Sequence, residues 1–281
     1  MKIGWLVEAE MFDLYRDELM VAIRELGHEA KLIRPPPPPY RWEDSGRPYR
    51  ETFPQESCVV TVGDIGLVTR IRDERLWSPG AFADVANYFC SSYYCHLGEY
   101  LLNDKYVMLP FGELRRCRDF LFETVGIDGQ VFVRPDSPLK LFAGQVVSAS
   151  TFQKDLDYLA FYEFPLNSLV VVSPPRSLDV EWRFVVADKQ IVAGSQYRAD
   201  GKFEPRAEID GDAKIFAEQV ASRVFEPERV WILDVCRTSQ GEYRLLEIGG
   251  FSFSDLYLTN KRDVVEAVSR VALSIWKSAQ G

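Results

Sequence analysis

A chain of 281 residues with 47% hydrophobic and 27% charged residues can bury a real core, and its length suits two or three compact lobes. Its net charge of −9, from 33 basic against 42 acidic residues, comes with no basic run beyond short pairs such as Arg115-Arg116. That excludes nucleic-acid binding as a main role, because such binding rests on phosphate neutralisation. No apolar stretch approaches the roughly 20 residues that span a bilayer, and the short apolar run at the start is closed by Glu8, so the sequence predicts a cytoplasmic protein with no membrane role.

The first section reads β-α-β. Ile3 to Val7 is a strand, and Phe12 to Leu26 carries a helical stripe of Phe12, Tyr15, Leu19, Ala22, Ile23 and Leu26. Gly27 stands where a helix C-terminus expects glycine. Ala30 to Ile33 is a second strand, and Pro35 to Pro39 then form a stiff polyproline connector. Cys58 to Val62 is a further strand ending in Gly63-Asp64. Residues from Ala81 to Leu102 are aromatic-rich and partly helical. Without basic interleaving, those rings read as packing at a lobe boundary rather than as a base-stacking surface. The five cysteines are odd in number and scattered, which fits reduced thiols, and Cys90, Cys95 and His96 make a poor zinc signature.

The second section changes character. Gln130 to Arg134 is a strand whose antiparallel partner begins at Leu139 to Phe142. Ser150-Thr151-Phe152-Gln153 has the form of a capping box, opening a helix that reaches Phe161. Leu169 to Ser173 is an apolar strand running into Pro174-Pro175. Val180 to Ala187 and Ile191 to Tyr197 make a hairpin, Asp210 to Val224 a helix, Trp231 to Arg237 and Tyr243 to Ile248 a second hairpin, and Val264 to Trp276 a closing helix.

Chemistry concentrates in the last hairpin. Asp234 and Glu247 interrupt strands that are otherwise apolar. Folding about Gln240 sets them opposite each other on one face, since strand side chains alternate with period two. Facing carboxylates repel unless a cation lies between them, and oxygen-only ligands suit Mg²⁺; the pair equally suits two solvent-facing acids on an edge ribbon. Ahead of the hairpin stand Arg134 and Lys140, flanking a tight turn, and Arg183 between Trp182 and Phe184, a setting that is more often that of a surface or ion-paired arginine. Two basic elements before a carboxylate pair describe a phosphate clamp with a metal floor. No glycine-rich phosphate loop competes, and with only His28 and His96 available a nucleophile triad is excluded.

The order of Arg134-Pro135-Asp136, Lys140-Leu141-Phe142-Ala143-Gly144, the apolar strand ending in Ser173-Pro174-Pro175, Glu181-Trp182-Arg183, Leu233-Asp234-Val235 and Leu246-Glu247-Ile248 resembles the ATP-grasp superfamily. More narrowly, it is similar to the clade named for two arginines and a lysine, over about residues 105 to 270. The resemblance implies an α/β (α+β) chain with a two-lobed ATP-grasp fold behind a Rossmann-like β-α-β domain. The pre-ATP-grasp domain would take residues 1–104, the small lobe 105–172 and the large lobe 173–281.

It also implies ATP and Mg²⁺ as cofactors. Arg134 and Lys140 would hold the α- and β-phosphates, Val170, Val171 and Val172 would form the adenine hinge, and Arg183 would approach the γ-phosphate with Arg198 as helper. Asp234 and Glu247 would bind Mg²⁺, and Lys140 and Arg183 would serve catalysis. The activity implied is carboxylate–amine ligation through an acyl phosphate, on small-molecule or peptide substrates. A kinase, or a degenerate ATP-binding regulatory module, is the alternative. The carboxylate substrate would sit near Glu8, Glu10 or Asp64. One position departs from the family: where it has asparagine two residues after the glutamate, this chain has Gly249, leaving Ser252, Ser254 and Asp255 as nearby oxygens.

Overall fold

Three sheets carry the described residues, each built by a different stretch of sequence. The structure, a computed structural model, describes residues 1–11, 15–37, 42 and 46–281. In the first stretch β1 (Gly4–Glu8), β2 (Glu29–Ile33), β3 (Cys58–Val62) and β4 (Ser78–Gly80) form a parallel sheet in the order β2-β1-β3-β4. β1 and β3 are buried at every residue, as central parallel strands covered on both faces must be. Helix α1 (Arg16–Glu25) turns Leu19, Met20, Ala22 and Ile23 inward, so the expected stripe forms, while Phe12 lies outside the described residues. Gly27, at φ +78°, follows its end. Pro35 to Pro37 carry no regular structure, and Pro38 and Pro39 lie outside the described residues. A helix not expected from the sequence, α2 (Ile65–Glu74), follows β3, with Asp64 accepting from the Gly66 N–H at 2.8 Å as its N-cap. The chain leaves β1 for β2 on one side and returns to β3 on the other. The carboxyl ends of β1 and β3, where Glu8 and Asp64 stand, therefore flank the crevice of a doubly wound sheet.

The aromatic segment folds into a 3₁₀ turn (Val85–Tyr88) and helix α3 (Cys90–Leu97). Tyr88, Tyr93 and Tyr94 are buried in one cluster with Val171 of the second sheet and Trp182, Leu233 and Leu245 of the third, so these rings pack where those two sheets meet.

The second sheet, β5 (Val107–Pro110), β6 (Gln130–Pro135), β7 (Gln145–Ser148) and β8 (Leu169–Ser173), is antiparallel in the order β5-β8-β6-β7. The short turn α4 (Arg118–Phe120) and helix α5 (Phe152–Ala160) accompany it. The return strand expected at Leu139 to Phe142 is a loop instead, with Lys140 at φ +50° and Phe142 buried against Phe111 and Phe164. Gly144 lies against Phe132, where a Cβ would come within 2.7 Å of Cζ, and pairing with β6 starts one residue later. The capping box is also replaced. Thr151 is the N-cap of α5, its hydroxyl donates to Asp155 Oδ2 at 2.7 Å, and Gln153 turns to Asp157.

The third sheet, β9 (Leu178–Ala187), β10 (Gln190–Ala199), β11 (Lys202–Arg206), β12 (Val230–Thr238) and β13 (Tyr243–Gly250), is antiparallel in the order β11-β10-β9-β12-β13. Helix α6 (Gly211–Ala221) starts at Asp210, whose carboxylate accepts from the Asp212 and Ala213 N–H groups, and packs with Trp182, Phe184 and Val186. Helix α7 (Lys261–Gln280) covers the other face with Val264, Val265, Val268 and Val271. It also reaches the first sheet, where Trp5 Nε1 donates to Ser269 Oγ at 3.1 Å. Among the described residues no helix is long and apolar enough to cross a membrane.

Candidate active site

The acidic pair forms as the period-two argument requires. Asp234 and Glu247 are direct partners in the β12–β13 ladder, just before a bulge. On the other flank of β12, Arg183 of β9 is the partner of Asp234. Three charged residues thus lie side by side across neighbouring strands, where the apolar packing against α7, which takes in Val185 and Ile232, ends.

Arg183 and Asp234 form a two-pronged ion pair: Nε donates to Oδ1 at 2.8 Å and Nη2 to Oδ2 at 2.7 Å. Nη1 donates to the Asp255 carbonyl at 3.2 Å, and the guanidinium lies 5.0 Å from the Tyr257 ring centre and 5.5 Å from that of Tyr197. Those two rings stack on each other at 12°. Asp234 is 1% exposed and Arg183 9%. Burial alone would make Arg183 easier to deprotonate, but Asp234 beside it holds the guanidinium well above its ordinary range. A buried, doubly bonded pair of this kind is strongly fixed in place.

Glu247 is answered from the second sheet. Arg134 Nη2 donates to Glu247 Oε2 at 3.0 Å and Nη1 approaches the Leu246 carbonyl at 3.5 Å. Burial works to raise the Glu247 carboxyl, and Arg134, Arg183 and Lys140 together bring it below its usual value. Lys140 makes no direct ion pair among the described residues, yet its charge acts on both Asp234 and Glu247. Arg134, Arg183, Asp234 and Glu247 therefore meet, while Lys140 is exposed and acts on the two carboxylates only through its charge.

Two groups expected to join them do not. Val170, Val171 and Val172 are fully buried in β8, which is paired on both sides, with β5 and with β6. Their backbone groups are spent in the ladders, so an adenine edge cannot meet them. A continuous apolar run signals a strand buried on both faces; Ser173 is still paired with Phe132, and backbone free of the ladders begins only at Pro174-Pro175. Arg198 is half exposed and sits 3.8 Å from Glu181, whose carboxylate accepts from the Tyr197 hydroxyl at 2.6 Å; it does not reach Asp234.

Gly249 leaves a small open space, in which a Cβ would meet only Ser254 Oγ, at 3.3 Å. The two serine hydroxyls and one Asp255 oxygen nearby are already engaged. Ser252 Oγ accepts from the Phe82 N–H at 2.9 Å, Ser254 Oγ donates to the Gly250 carbonyl at 2.8 Å, and Asp255 Oδ1 accepts from the Tyr257 N–H at 2.9 Å. Among the described residues no group of three His, Cys, Asp or Glu side chains could hold a metal ion. Cys90 is buried near Tyr93, and His96 stacks on Phe225 at 4.6 Å, so the cysteine–histidine segment is packing.

Beyond the ion pairs, a cavity of about 220 Å³ opens at the hinge. It is lined by Ile127 of the second sheet's approach, Pro175 and Arg176 of the connector, and Thr238 and Arg244 of the β12–β13 hairpin. At about 3.3 Å per residue it begins ~13 Å from Asp234, a span that an extended nucleoside triphosphate bridges. At the other side, Glu8 accepts from Trp42 Nε1 at 2.9 Å and from the Asp64 N–H, and burial pushes its carboxyl up. Sequence reasoning missed the aromatic clamp. Tyr197 was accessible to it, because Ser195 pairs with Arg183 and Tyr197 follows two residues on. Tyr257, in a left-handed conformation at φ +44°, gave no local signal.

The model of the ATP-grasp domain, R2K clade family 2, matches residues 115–267, more than half of the chain. No curated protein sequence matches. Among solved structures, D-cycloserine synthetase DcsG aligns with a TM-score of 0.67 at 18% identity, covering 96% of this chain and 99% of that one. The D-alanine–D-alanine ligase from Bacillus anthracis aligns at 0.61 and 10% identity, over 99% of both chains. The ATP-grasp ligase PsnB, complexed with a minimal precursor, aligns at 0.56 and 14% identity, over 95% and 98%. At such identities these likenesses concern the fold, and together with the family match they lead to one conclusion: the chain belongs to the ATP-grasp domain family, R2K clade family 2.

Proposed function

We propose that this protein is an ATP-dependent carboxylate–amine ligase working through an acyl phosphate. The observation that carries the reading is the meeting of Arg134, from the second sheet, with Glu247 of the third, beside the Arg183–Asp234 pair and under the charge of Lys140. Phosphoryl transfer asks little covalent chemistry of a protein; positioning and charge neutralisation carry it. Three cations and two carboxylates with no nucleophile suit that task. The base would enter the hinge cavity beside Pro175, and the phosphates would run towards Arg134, Lys140 and Arg183. Glu247 fits a magnesium ion held with the phosphates, since it accepts from Arg134 through Oε2 and is about one-third exposed. Such an ion would draw charge from the transferring phosphoryl group. Asp234 stands across the ladder from Glu247 and keeps Arg183 aimed into the site. The carboxylate substrate would lie towards Glu8 and Asp64, at the crevice of the parallel sheet. DcsG, PsnB and D-alanine–D-alanine ligase are a synthetase and two ligases on this fold, which supports joining small amino acids or a peptide.

Isothermal titration of Mg-ATP into the protein, beside Arg134→Ala, Lys140→Ala and Glu247→Gln, tests the site. Metal-dependent binding weakened in all three variants is expected, followed by phosphate release with a matched acid and amine. Wild-type protein that is folded yet binds no nucleotide would sink the reading. Gly249 favours a second reading, a nucleotide-binding module without turnover, for which tight binding with no phosphate release across a substrate screen would be the sign.

A further inference from the structure

We infer that the Arg183 guanidinium takes the place of a second divalent ion, so that this site works with one metal per nucleotide. The inference rests on the ATP-binding reading above and goes beyond it, to the metal count. Three observations converge. Both oxygens of Asp234 are already engaged by Arg183, at 2.8 and 2.7 Å, in a carboxylate that is 1% exposed. A metal ion needs one of those oxygens at about 2.0–2.1 Å, and would then lie in contact range of a fixed positive charge.

Arg183 is also held from every other side. The Asp255 carbonyl accepts its Nη1 hydrogen, and the stacked Tyr197 and Tyr257 rings lie under the guanidinium. Swinging it away from Asp234 would break three hydrogen bonds and two cation–π contacts in a buried setting. Finally, Gly249, two residues after Glu247, brings no side-chain oxygen, the Ser252 and Ser254 hydroxyls are hydrogen-bonded within the turn, and Asp255 holds the Tyr257 N–H with Oδ1. Of the two facing carboxylates, only Glu247 keeps an oxygen free, since Oε2 alone accepts from Arg134. That suffices for a single ion carried in with the phosphates. Asp234 thus becomes a positioning residue that pins a permanent cation, rather than a metal ligand.

The test counts metal directly. Mn²⁺ is titrated into the protein saturated with the non-hydrolysable analogue AMPPNP, and bound ion is read from the loss of the free-Mn²⁺ electron paramagnetic resonance signal. One ion per bound nucleotide is expected; two would overturn the inference while leaving the nucleotide site in place. Absence of any nucleotide binding would instead remove the ATP reading, and this inference with it. Gly249→Asn alone should still bind one ion, because Arg183 remains. The combination Arg183→Ala with Gly249→Asn should bind two. Should that double variant fail to fold, Asp234→Asn decides the same point: the count should stay at one, and its fall to zero would make Asp234 a ligand after all.

Discussion

Glu8 can lay its carboxylate against the β3–α2 turn only because residue 63 is glycine: a Cβ there would lie 2.6 Å from Glu8 Oε2 and 2.9 Å from Glu8 Cβ. The Gly63 N–H also donates to the Ser252 carbonyl at 2.9 Å, tying the crevice of the parallel sheet to the turn after β13. Gly63→Ala must displace Glu8 or open that tie, and should cost about 1–3 kcal/mol in urea unfolding, the usual range for overpacking a filled site. Gly98→Ala is the control. Nothing lies within 4 Å of its Cβ, so its stability should stay within about 0.5 kcal/mol of the parent.

Glu228 joins the first sheet's connector to the third sheet, accepting from the Asp84 N–H at 2.9 Å and the Tyr88 hydroxyl at 2.7 Å. Burial pushes its carboxyl from 4.5 up to about 7, the two hydrogen bonds only partly opposing the shift. Between those values the folded chain holds a proton that the unfolded chain has lost, so stability falls as pH rises through that window. Glu228→Gln keeps an acceptor for both donors and removes the titration. At pH 8 it should be more stable than the parent by up to about 2 kcal/mol, after allowance for partial exposure, and at pH 4 no more stable. Urea unfolding at the two pH values checks this; an equal difference at both would contradict it.

What the sequence could and could not disclose follows from the range of each interaction. The facing of Asp234 and Glu247 depends only on a hairpin and a period of two, and both are local. The partner of Asp234 is not local. Arg183 reaches it because β9, already paired with β10, also borders β12, and no local pattern states which strands of a sheet become neighbours. The arginine is therefore legible as a cation, even as an ion-paired one, but its partner is not. Val170 to Val172 erred for a related reason: an apolar run before two prolines reads as the end of a lobe, whereas β5, not expected as a strand, closes the second edge of β8. Gly144 carried the cue to the misplaced return strand, since its close approach to Phe132 delays pairing, but that approach exists only once the sheet has formed.

Lys261 opens α7 with its ammonium turned inward, donating to the Tyr257 and Thr259 carbonyls and lying 5.2 Å from the Tyr15 ring centre. Burial lowers it from 10.5 to about 8, with Glu18 and Asp255 opposing. Between pH 8 and 10.5 the unfolded chain keeps the proton that the folded chain releases, so this lysine's contribution to stability improves as pH rises. Set against Lys261→Met, the parent should gain about 2–3 kcal/mol from pH 7.5 to pH 10. A pH-independent difference between the two proteins would show that the ammonium titrates normally.

The Arg183–Asp234 pair should behave as a single unit. Asp234→Ala leaves a guanidinium without its counter-ion, and Arg183→Ala leaves a buried carboxylate without its donors; each should cost about 3–5 kcal/mol. Removing both takes away two desolvated charges at once. Arg183→Met with Asp234→Leu, matched roughly in volume, should therefore be at least as stable as either of its own single variants, which means a coupling energy of at least about 3 kcal/mol in that double-mutant cycle. Mg-ATP binding separates stability from function. The double variant should fold well yet bind Mg-ATP at least about tenfold more weakly, because the cation aimed at the phosphates is gone. Additive losses in unfolding would mean that the pair is not coupled as its geometry requires. Unchanged nucleotide affinity would mean that Arg183 braces the sheet and does nothing for the phosphates.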